Sequence, residues 1–566
     1  MGSLKKSPPK VTPETGFMMN RWNVVTMLLV GLCLIGLFST EIADTDFWWH
    51  LKTGEYVTEH HTLPDPDPFA YTTKDSPVRR FNLTHEWLSQ VLMHRVYAVA
   101  SFPGVIITRA LLLAMLCGLA GLLAARSYGN FYAGLAAACA TASVAAAFTA
   151  DRPAIVTFLG VAVFITLLEF RRWLWTLPII ALVWANCHGG FFMGWIVLLA
   201  YAGEALITRR DRRLLWIITA CSIGVSLLNP NGWHVVSTLL AYRASAMTAN
   251  LVEWQPPKLW GPPYGFDLLL GAATFVLILS WKQVRPAHAI LFVAFGAASI
   301  IAFRNILLIG FLAPVLIAAY VPFRVRLPRN LEWTPALLAA IVLATGIAQG
   351  RFFQLRVASW TIPSGAADFL LSRHITGPMF NTYEQGGYLI WKSWPQERVF
   401  IDGRSLSDSV YRDYRQILFN NGSAADAILG PRAELLERYG IRAVVMNTMD
   451  FQSGALYPLA LALAAPASTD WQLVYDDEQV LVFLRTPPPE IPAFPNKLGR
   501  VLRHLNQECE SYIRNSPDTP LCARTLGDYW LRNQAAEPAR RMLRLYLSHA
   551  DDEQARRALQ RLESGR

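Results

Sequence analysis

The sequence predicts a mainly α protein: a polytopic helical membrane bundle of about eleven spans, then an α/β domain outside the membrane, then a helical tail. Three observations carry this. The 566 residues are 53% hydrophobic and only 16% charged, against about 45–50% and about 25% in soluble domains. The apolar residues gather into stretches near the ~20 residues that a helix needs to cross a bilayer. The Lys and Arg between those stretches fall unevenly on alternate loops, as the positive-inside rule requires. Such a composition argues against a disordered chain and an ordinary soluble enzyme.

A basic segment, residues 1–22, opens the chain with Lys5, Lys6, Lys10 and Arg21. The membrane domain, 23–349, follows. Its spans are expected at 23–41, 104–125, 131–149, 154–170, 173–187, 190–207, 214–229, 266–281, 287–303, 305–322 and 334–349. The first is not a cleaved signal, because it lacks a small-x-small site and Glu41 to Asp46 follow it directly. The inner short loops hold twelve Lys and Arg; the outer short loops hold four, Arg152, Arg243, Lys258 and Arg304. That bias puts the N-terminus on the cytoplasmic side and, with an odd number of spans, everything after about 350 outside. The pI near 9.3 therefore reflects topology and is no sign of nucleic-acid binding.

Two outer segments are long. Residues 41–103 contain an amphipathic helix, Glu86–Ser101, expected to lie in the membrane interface with Trp87, Leu88, Val91, Leu92, Val96 and Val99 on one face and Ser89, Gln90, His94 and Arg95 opposite. Residues 230–265 are rich in Pro, Gly and Trp and read as an irregular cap. Domain 350–486 reads as α/β, with strands at Gly387–Trp391, Arg398–Ile401, Ala443–Met446, Trp471–Tyr475 and Val480–Leu484. Its helices are placed at Ala366–Arg373 and Ala424–Tyr439, and its closing hairpin turns at Asp476-Asp477-Glu478. A Pro-rich linker, 487–496, leads to the tail, 497–566, where Ala523–Leu547 has the spacing of one tetratricopeptide-like helix pair. One pair makes no repeat array, so the tail reads as an appendix. Five of the seven cysteines lie in or beside apolar runs; Cys509 and Cys522 lie in polar sequence and could pair in an oxidising compartment.

Candidate chemistry collects at the outer ends of the spans: Asp44-Thr45-Asp46 with Trp48-Trp49-His50, His85-Glu86, Asp151-Arg152-Pro153, Asn186-Cys187-His188, Asn229–Trp233, Glu253-Trp254 and Arg304-Asn305. The inner ends are read as carrying only Arg and Lys. Each cluster has a plain structural reading too. Asp44 and Asp46 could be a polar stop before an aromatic belt, and His85-Glu86 could dress a helix start capped by Thr84. Arg152-Pro153 could punctuate a helix start, His188 could be a satisfied core histidine, and Arg304 could merely interrupt two apolar stretches. Read chemically, Asp44 and Asp46 are a carboxylate base or hard oxygen ligands for a divalent cation, Mg or Mn. Arg304 suits a phosphate. Carboxylates for an acceptor, with Arg and His for a phosphate leaving group, are what an outward-facing transferase with a lipid-phosphate donor requires.

Around Asp44–His50 the chain resembles the GT-C superfamily of polyprenyl-phosphate-dependent glycosyltransferases, in the acidic motif after the first span, the long first outer loop and the C-terminal outer domain. It is also similar to a bacterial group of multi-span glycosyltransferases, through Asp44–Gly54, Pro66–Thr72, His85–Leu88, Trp184–Gly190, Arg304-Asn305, Asn381–Trp391 and Val399–Arg404. The resemblance implies an inverting glycosyltransferase of the cell envelope. It would move a sugar from a polyprenyl-phosphate carrier among the membrane lipids to a hydroxyl of a lipid, glycan or protein. Asp44 or Asp46 would activate the acceptor or position a metal, and Glu86 would be the second acidic residue. Arg304, Arg152 and His188 would meet the donor phosphate, with His50 and His85 beside them. No cofactor other than a divalent cation is implied. The C-terminal domain lacks a WWD motif, which speaks against transfer to Asn-x-Ser/Thr. Tyr383–Trp391 and Asp402–Arg404 are expected to form a loop-and-strand surface facing the bundle. Two other readings are a lipid-linked glycan flippase and a non-catalytic scaffold that docks an envelope-assembly partner through the tail. A flippase would show midplane charges and inverted repeats, and neither stands out.

Overall fold

The computed structural model describes residues 19–74, 76–241, 251–324, 327–419 and 430–564. Lys5, Lys6, Lys10, Arg243 and Arg326, which entered the topology argument, and residues 424–429 of the expected helix Ala424–Tyr439 lie outside them. Each of the eleven apolar stretches is helical. In chain order the helices up to residue 348 are α1 (Arg21–Phe38), α2 (Phe47–His60), α3 (Arg80–Thr84), α4 (Trp87–Tyr128), α5 (Phe131–Ala145), α6 (Ala154–Phe170), α7 (Leu177–Cys187), α8 (Phe192–Thr208), α9 (Arg212–Ser226), α10 (His234–Ala241), α11 (Tyr264–Leu279), α12 (Pro286–Ile301), α13 (Ile306–Tyr320) and α14 (Thr334–Ala348). By length and composition, six helical segments among the described residues are long and apolar enough to cross a membrane, and four more are apolar but shorter. α13 is the buried centre, with Leu307, Ile309, Phe311 and Leu312 almost inaccessible. The outward faces of the bundle carry Leu28, Ile207, Ile217, Phe275, Val293 and Leu338, an apolar surface far beyond what a soluble monomer exposes.

The amphipathic segment is the first part of α4, which runs on into a span after a break at Ser101, whose φ of 53° is left-handed. Its faces are set by its neighbours: Ser89 and Gln90 are buried, while Leu92 is 53% and Val99 89% exposed. The polar side turns inward, towards α2 and the loop beyond α7, and apolar residues turn out.

After residue 350 come α15 (Ser364–Ser372), β1 (Met379–Asn381), α16 (Tyr383–Ser393), α17 (Asp408–Phe419), α18 (Pro431–Arg438), β2 (Ala443–Met446), β3 (Met449–Asp450), β4 (Ala455–Leu456), α19 (Pro458–Ala464), β5 (Trp471–Asp476) and β6 (Leu481–Arg485). The main sheet has the order β1-β2-β6-β5, with β1 parallel to β2 and the other pairs antiparallel. β2 is buried on both faces, as a central strand under two layers should be. One face packs on α17, α18 and α19 through Val444, Phe483 and Met446. The other shares a core with α15, α16 and α2: Val445, Val482 and Leu484 pack with Tyr388, Leu389, Phe47 and Trp48.

Two expected strands need correction. Gly387–Trp391 is part of helix α16: Tyr388 and Trp391, three apart, lie on one face against Trp48, with ring centroids 4.8 Å away in each case. Arg398–Ile401 is extended, but its partner is the first outer loop: Val399 N–H donates to Phe69 O (3.1 Å) and Tyr71 N–H to Val399 O (3.2 Å). Trp48, for which a membrane belt was one of the readings, is buried in this shared core.

The tail comprises α20 (Lys497–Asn515), α21 (Leu521–Arg532), α22 (Ala536–Leu547) and α23 (Glu553–Glu563). It is no appendix. Val501 belongs to the core of the α/β domain, and buried Glu508 accepts hydrogen bonds from the Thr448 N–H and hydroxyl. Cys509 and Cys522 form a disulfide between α20 and α21.

The bundle end opposite the acidic loop also needs correction. α6 begins beside Arg152 and ends at Phe170, so Glu169 lies about 25 Å away along it. There Arg285 pairs with Glu169 (2.7 Å) and Glu204 (2.8 Å), and His288 touches Tyr320 (2.7 Å). That end holds carboxylates as well as cations.

Candidate active site

Arg109, in the apolar part of α4, organises the approach to the acidic loop. Its guanidinium donates to the carbonyl oxygens of Phe38 and Thr40, where α1 ends, and pairs at 2.5 Å with Asp151 in a fully buried contact. This fixes the end of α1, and with it the start of the segment bearing Asp44 and Asp46, against the turn bearing Arg152.

Arg152 is the hub. Its Nε donates to Asp44 Oδ2 (2.5 Å) and its Nη2 to Asp44 Oδ1 (2.7 Å), a bidentate pair. Nη2 also lies 3.1 Å from Asp46 Oδ2, and Nη1 reaches Glu253 at 3.5 Å. Glu253 in turn accepts from Arg304 Nη1 (3.2 Å), and the Arg304 guanidinium lies 4.5 Å from the centre of the Trp254 ring. Asp46 Oδ1 accepts from the Trp49 indole N–H (3.0 Å), and Asp44 Oδ1 from the Asp46 backbone N–H (3.1 Å).

The two aspartates differ in character. Burial opposes ionisation of both. At Asp44 the Arg152 charge and hydrogen bonds win and hold the carboxyl below the usual carboxylate range. At Asp46 burial, reinforced by the charge of Asp44, outweighs Arg152 and pushes the carboxyl up to about 6. Neighbouring carboxylates driven apart in this way are suited to different roles.

A second group lies one helical turn along α2. The His50 ring sits 3.6 Å, centroid to centroid, from Trp49, and burial holds its pKa down to about 4. Glu86 stands among three histidines, with His85 Nε2 at 3.2 Å, His188 Nε2 at 3.5 Å and His50 Nδ1 at 3.6 Å. His188 Nδ1 accepts from the Gly190 N–H (3.1 Å). The Thr157 hydroxyl, which accepts from the Trp184 indole (3.2 Å), donates to the same nitrogen (2.6 Å). The Nε2 proton of His188 therefore faces Glu86. His85 Nδ1 faces the Phe81 carbonyl (2.7 Å) and its Nε2 faces the Glu86 carboxylate.

All eight residues singled out from sequence (Asp44, Asp46, His50, His85, Glu86, Arg152, His188 and Arg304) thus lie in two adjoining polar groups. Sequence reasoning missed Arg109, whose one signal was a lone charge five residues into an apolar run. It also assigned no role to Asp67 or Glu253. The outer domain closes on the acidic loop. Gly387 packs so close to the Thr45 carbonyl that a Cβ would lie 2.5 Å from it, and a Cβ on Gly403 would lie 1.6 Å from Asp46 Oδ1. Gly403 is held by its neighbours: Arg404 is clamped between Asp402 (2.7 Å) and Asp67 (2.6 Å), all three buried, and Tyr383 OH donates to the Gly403 carbonyl (3.1 Å). The expected loop-and-strand surface is a loop and a helix, and it faces α2.

A divalent cation does not fit the acidic pair as arranged. It needs several free oxygens at about 2.0–2.6 Å, whereas each oxygen of Asp44 and Asp46 already faces an N–H of Arg152 or Trp49. Among the described residues, no group of three or more His, Cys, Asp or Glu could hold a metal ion.

No family model matches the chain, and no curated protein matches it. Solved structures do. The archaeal oligosaccharyltransferase AglB from Archaeoglobus fulgidus, in complex with an inhibitory peptide and a dolichol-phosphate, aligns over 83% of this chain and 75% of its own with a TM-score of 0.53 and 12% identity. The apo form of the Archaeoglobus fulgidus oligosaccharyltransferase aligns with the same values. The chain therefore shares the fold of these oligosaccharyltransferases. At 12% identity the likeness is one of fold.

Proposed function

We propose that this protein is a membrane glycosyltransferase that moves a sugar from a polyprenyl-phosphate carrier to a hydroxyl of a lipid, glycan or protein on the outer face of the bacterial inner membrane. The observation that carries the reading is the asymmetric aspartate pair bridged by Arg152, in a fold shared with an enzyme crystallised with a dolichol-phosphate. The Cys509–Cys522 disulfide supports an oxidising compartment for the tail.

Asp44, spent on Arg152, holds the guanidinium in place. Asp46, ionised above about 6, is the better general base, since its carboxyl is poised nearer neutral pH. The acceptor oxygen attacks the anomeric carbon as the bond from that carbon to the phosphate oxygen breaks, and configuration inverts. The acceptor proton goes to Asp46. The negative charge left on the carrier phosphate meets Arg152 and Arg304, donors preorganised for charge that develops in the reaction, with the His85 ring beside them. Glu86 aligns the His85 and His188 rings.

The test is transfer by full-length protein in lipid nanodiscs. Asp46→Asn should abolish transfer with the fold intact, and Asp44→Asn should lower it by releasing Arg152. Full activity in both variants would show that the chemistry lies elsewhere.

A further inference from the structure

Three carboxylates, Asp44, Asp46 and Glu253, converge on one guanidinium, as carboxylates converge on a metal ion. Arg152 is no passing visitor there. It follows Asp151, which is locked into the buried pair with Arg109, and precedes Pro153, which leads into α6. Its backbone is therefore held at the outer end of the bundle. The guanidinium is permanently charged and cannot give up a proton. A divalent cation could reach these oxygens only by displacing it from a bidentate pair and two further carboxylate contacts. The three carboxylates come from separate segments, the acidic loop and the short helical turn at residues 252–254, so without Arg152 their mutual repulsion would be uncompensated.

From this we infer that Arg152 is the resident cation of the site: it takes the place of a divalent metal ion in neutralising the acidic group and in facing the leaving phosphate, so that transfer needs no added metal. The inference rests on the glycosyltransferase reading for its second half. The first half, that the acidic group is already occupied by a cation, stands on geometry alone.

The experiment is Mn²⁺ binding to the purified full-length protein, read by the loss of the free-ion signal in electron paramagnetic resonance, which requires no turnover. Wild type should bind no Mn²⁺ that depends on Asp44 or Asp46. Arg152→Gln, which keeps a polar side chain but removes the charge, should gain a site at least about tenfold tighter, equivalent to about 1.4 kcal/mol. Arg152→Gln combined with Asp44→Asn should lose it again. A wild-type Mn²⁺ site abolished by Asp44→Asn or Asp46→Asn would overturn the inference, and so would a folded Arg152→Gln protein that gains no Mn²⁺. If Arg152→Gln fails to fold, the comparison of wild type with Asp46→Asn still decides. In the activity arm, chelator-treated wild type should transfer at its full rate. Transfer that vanished with chelator and returned with Mn²⁺ would refute the resident cation while leaving the glycosyltransferase reading intact; no transfer under any condition would count against that reading and leave the Mn²⁺ result standing.

Discussion

Gly403→Ala tests whether the outer domain sets the geometry of the acidic loop. Gly403 does not have a positive φ, so an alanine backbone is unstrained there and the effect comes from the methyl group. That methyl would lie 1.6 Å from Asp46 Oδ1, 2.6 Å from its Cγ and 3.0 Å from Trp49 Nε1. Ordinary carbon–oxygen contact needs about 3.4 Å or more, so the carboxylate must retreat by well over an ångström. The Trp49 contact at 3.0 Å and the Arg152 contact at 3.1 Å cannot both survive that shift. Losing a hydrogen bond to a charged group costs about 1.5–3 kcal/mol, and a misplacement of ~1 Å at a reacting group can lower the rate ~100-fold. Because the clash falls on the end of one side chain and not on backbone, the fold should absorb the change. The assay compares kcat and thermal unfolding for wild type, Gly403→Ala and Gly203→Ala, whose added methyl meets nothing within 4 Å. The expected result is a fall of about 100-fold in kcat for Gly403→Ala with little change in unfolding. A folded Gly403→Ala protein within about twofold of wild type would refute the argument that this contact seats Asp46.

Three further outcomes follow from the same structure. Arg109→Met should destabilise the protein by about 3–5 kcal/mol, because it strands the buried Asp151 carboxylate; Arg109→Met with Asp151→Leu should recover much of that loss in thermal unfolding. Burial opposes a charge on His504, but Asp476 (2.8 Å) and Glu508 (3.3 Å) overcome it and push its pKa up to about 9. Raised above an unfolded value of about 6.5, it contributes about 3 kcal/mol that is fully present below pH ~6.5 and lost as pH rises through ~9; unfolding of His504→Gln followed against pH should be flatter across that window. Cys522→Ser opens a loop whose ends are 13 residues apart and should cost about 3 kcal/mol, seen as earlier unfolding of the tail and matched by reductant on wild type.

Much of this architecture could be read from the sequence because a charge in apolar surroundings stands out. Asp44, Arg152, His188 and Arg304 mark the ends of apolar runs, and run ends on one side of a membrane meet. What could not be read depends on partners distant in the chain. Three histidines from α2, the end of α3 and the loop after α7 surround Glu86, and no spacing rule links those segments. Arg109 looked like a flaw in an apolar run, since its partners, the carbonyls ending α1 and the carboxylate of Asp151, are invisible without the fold. Gly387–Trp391 has strand-forming residues, yet tertiary packing on Trp48 makes it helical. α20 reads as part of an appendix until Thr448 and Asp476 supply its buried partners.

The central claim is that the group around Asp46 and Arg152 transfers sugar from a polyprenyl-phosphate carrier. Its most direct test is mass spectrometry of lipids that co-purify with wild type and with Asp46→Asn. The account predicts a polyprenyl-phosphate sugar on the inactive variant and the same carrier, depleted of sugar, on wild type. A protein that carries no polyprenyl-phosphate lipid in either form would contradict it.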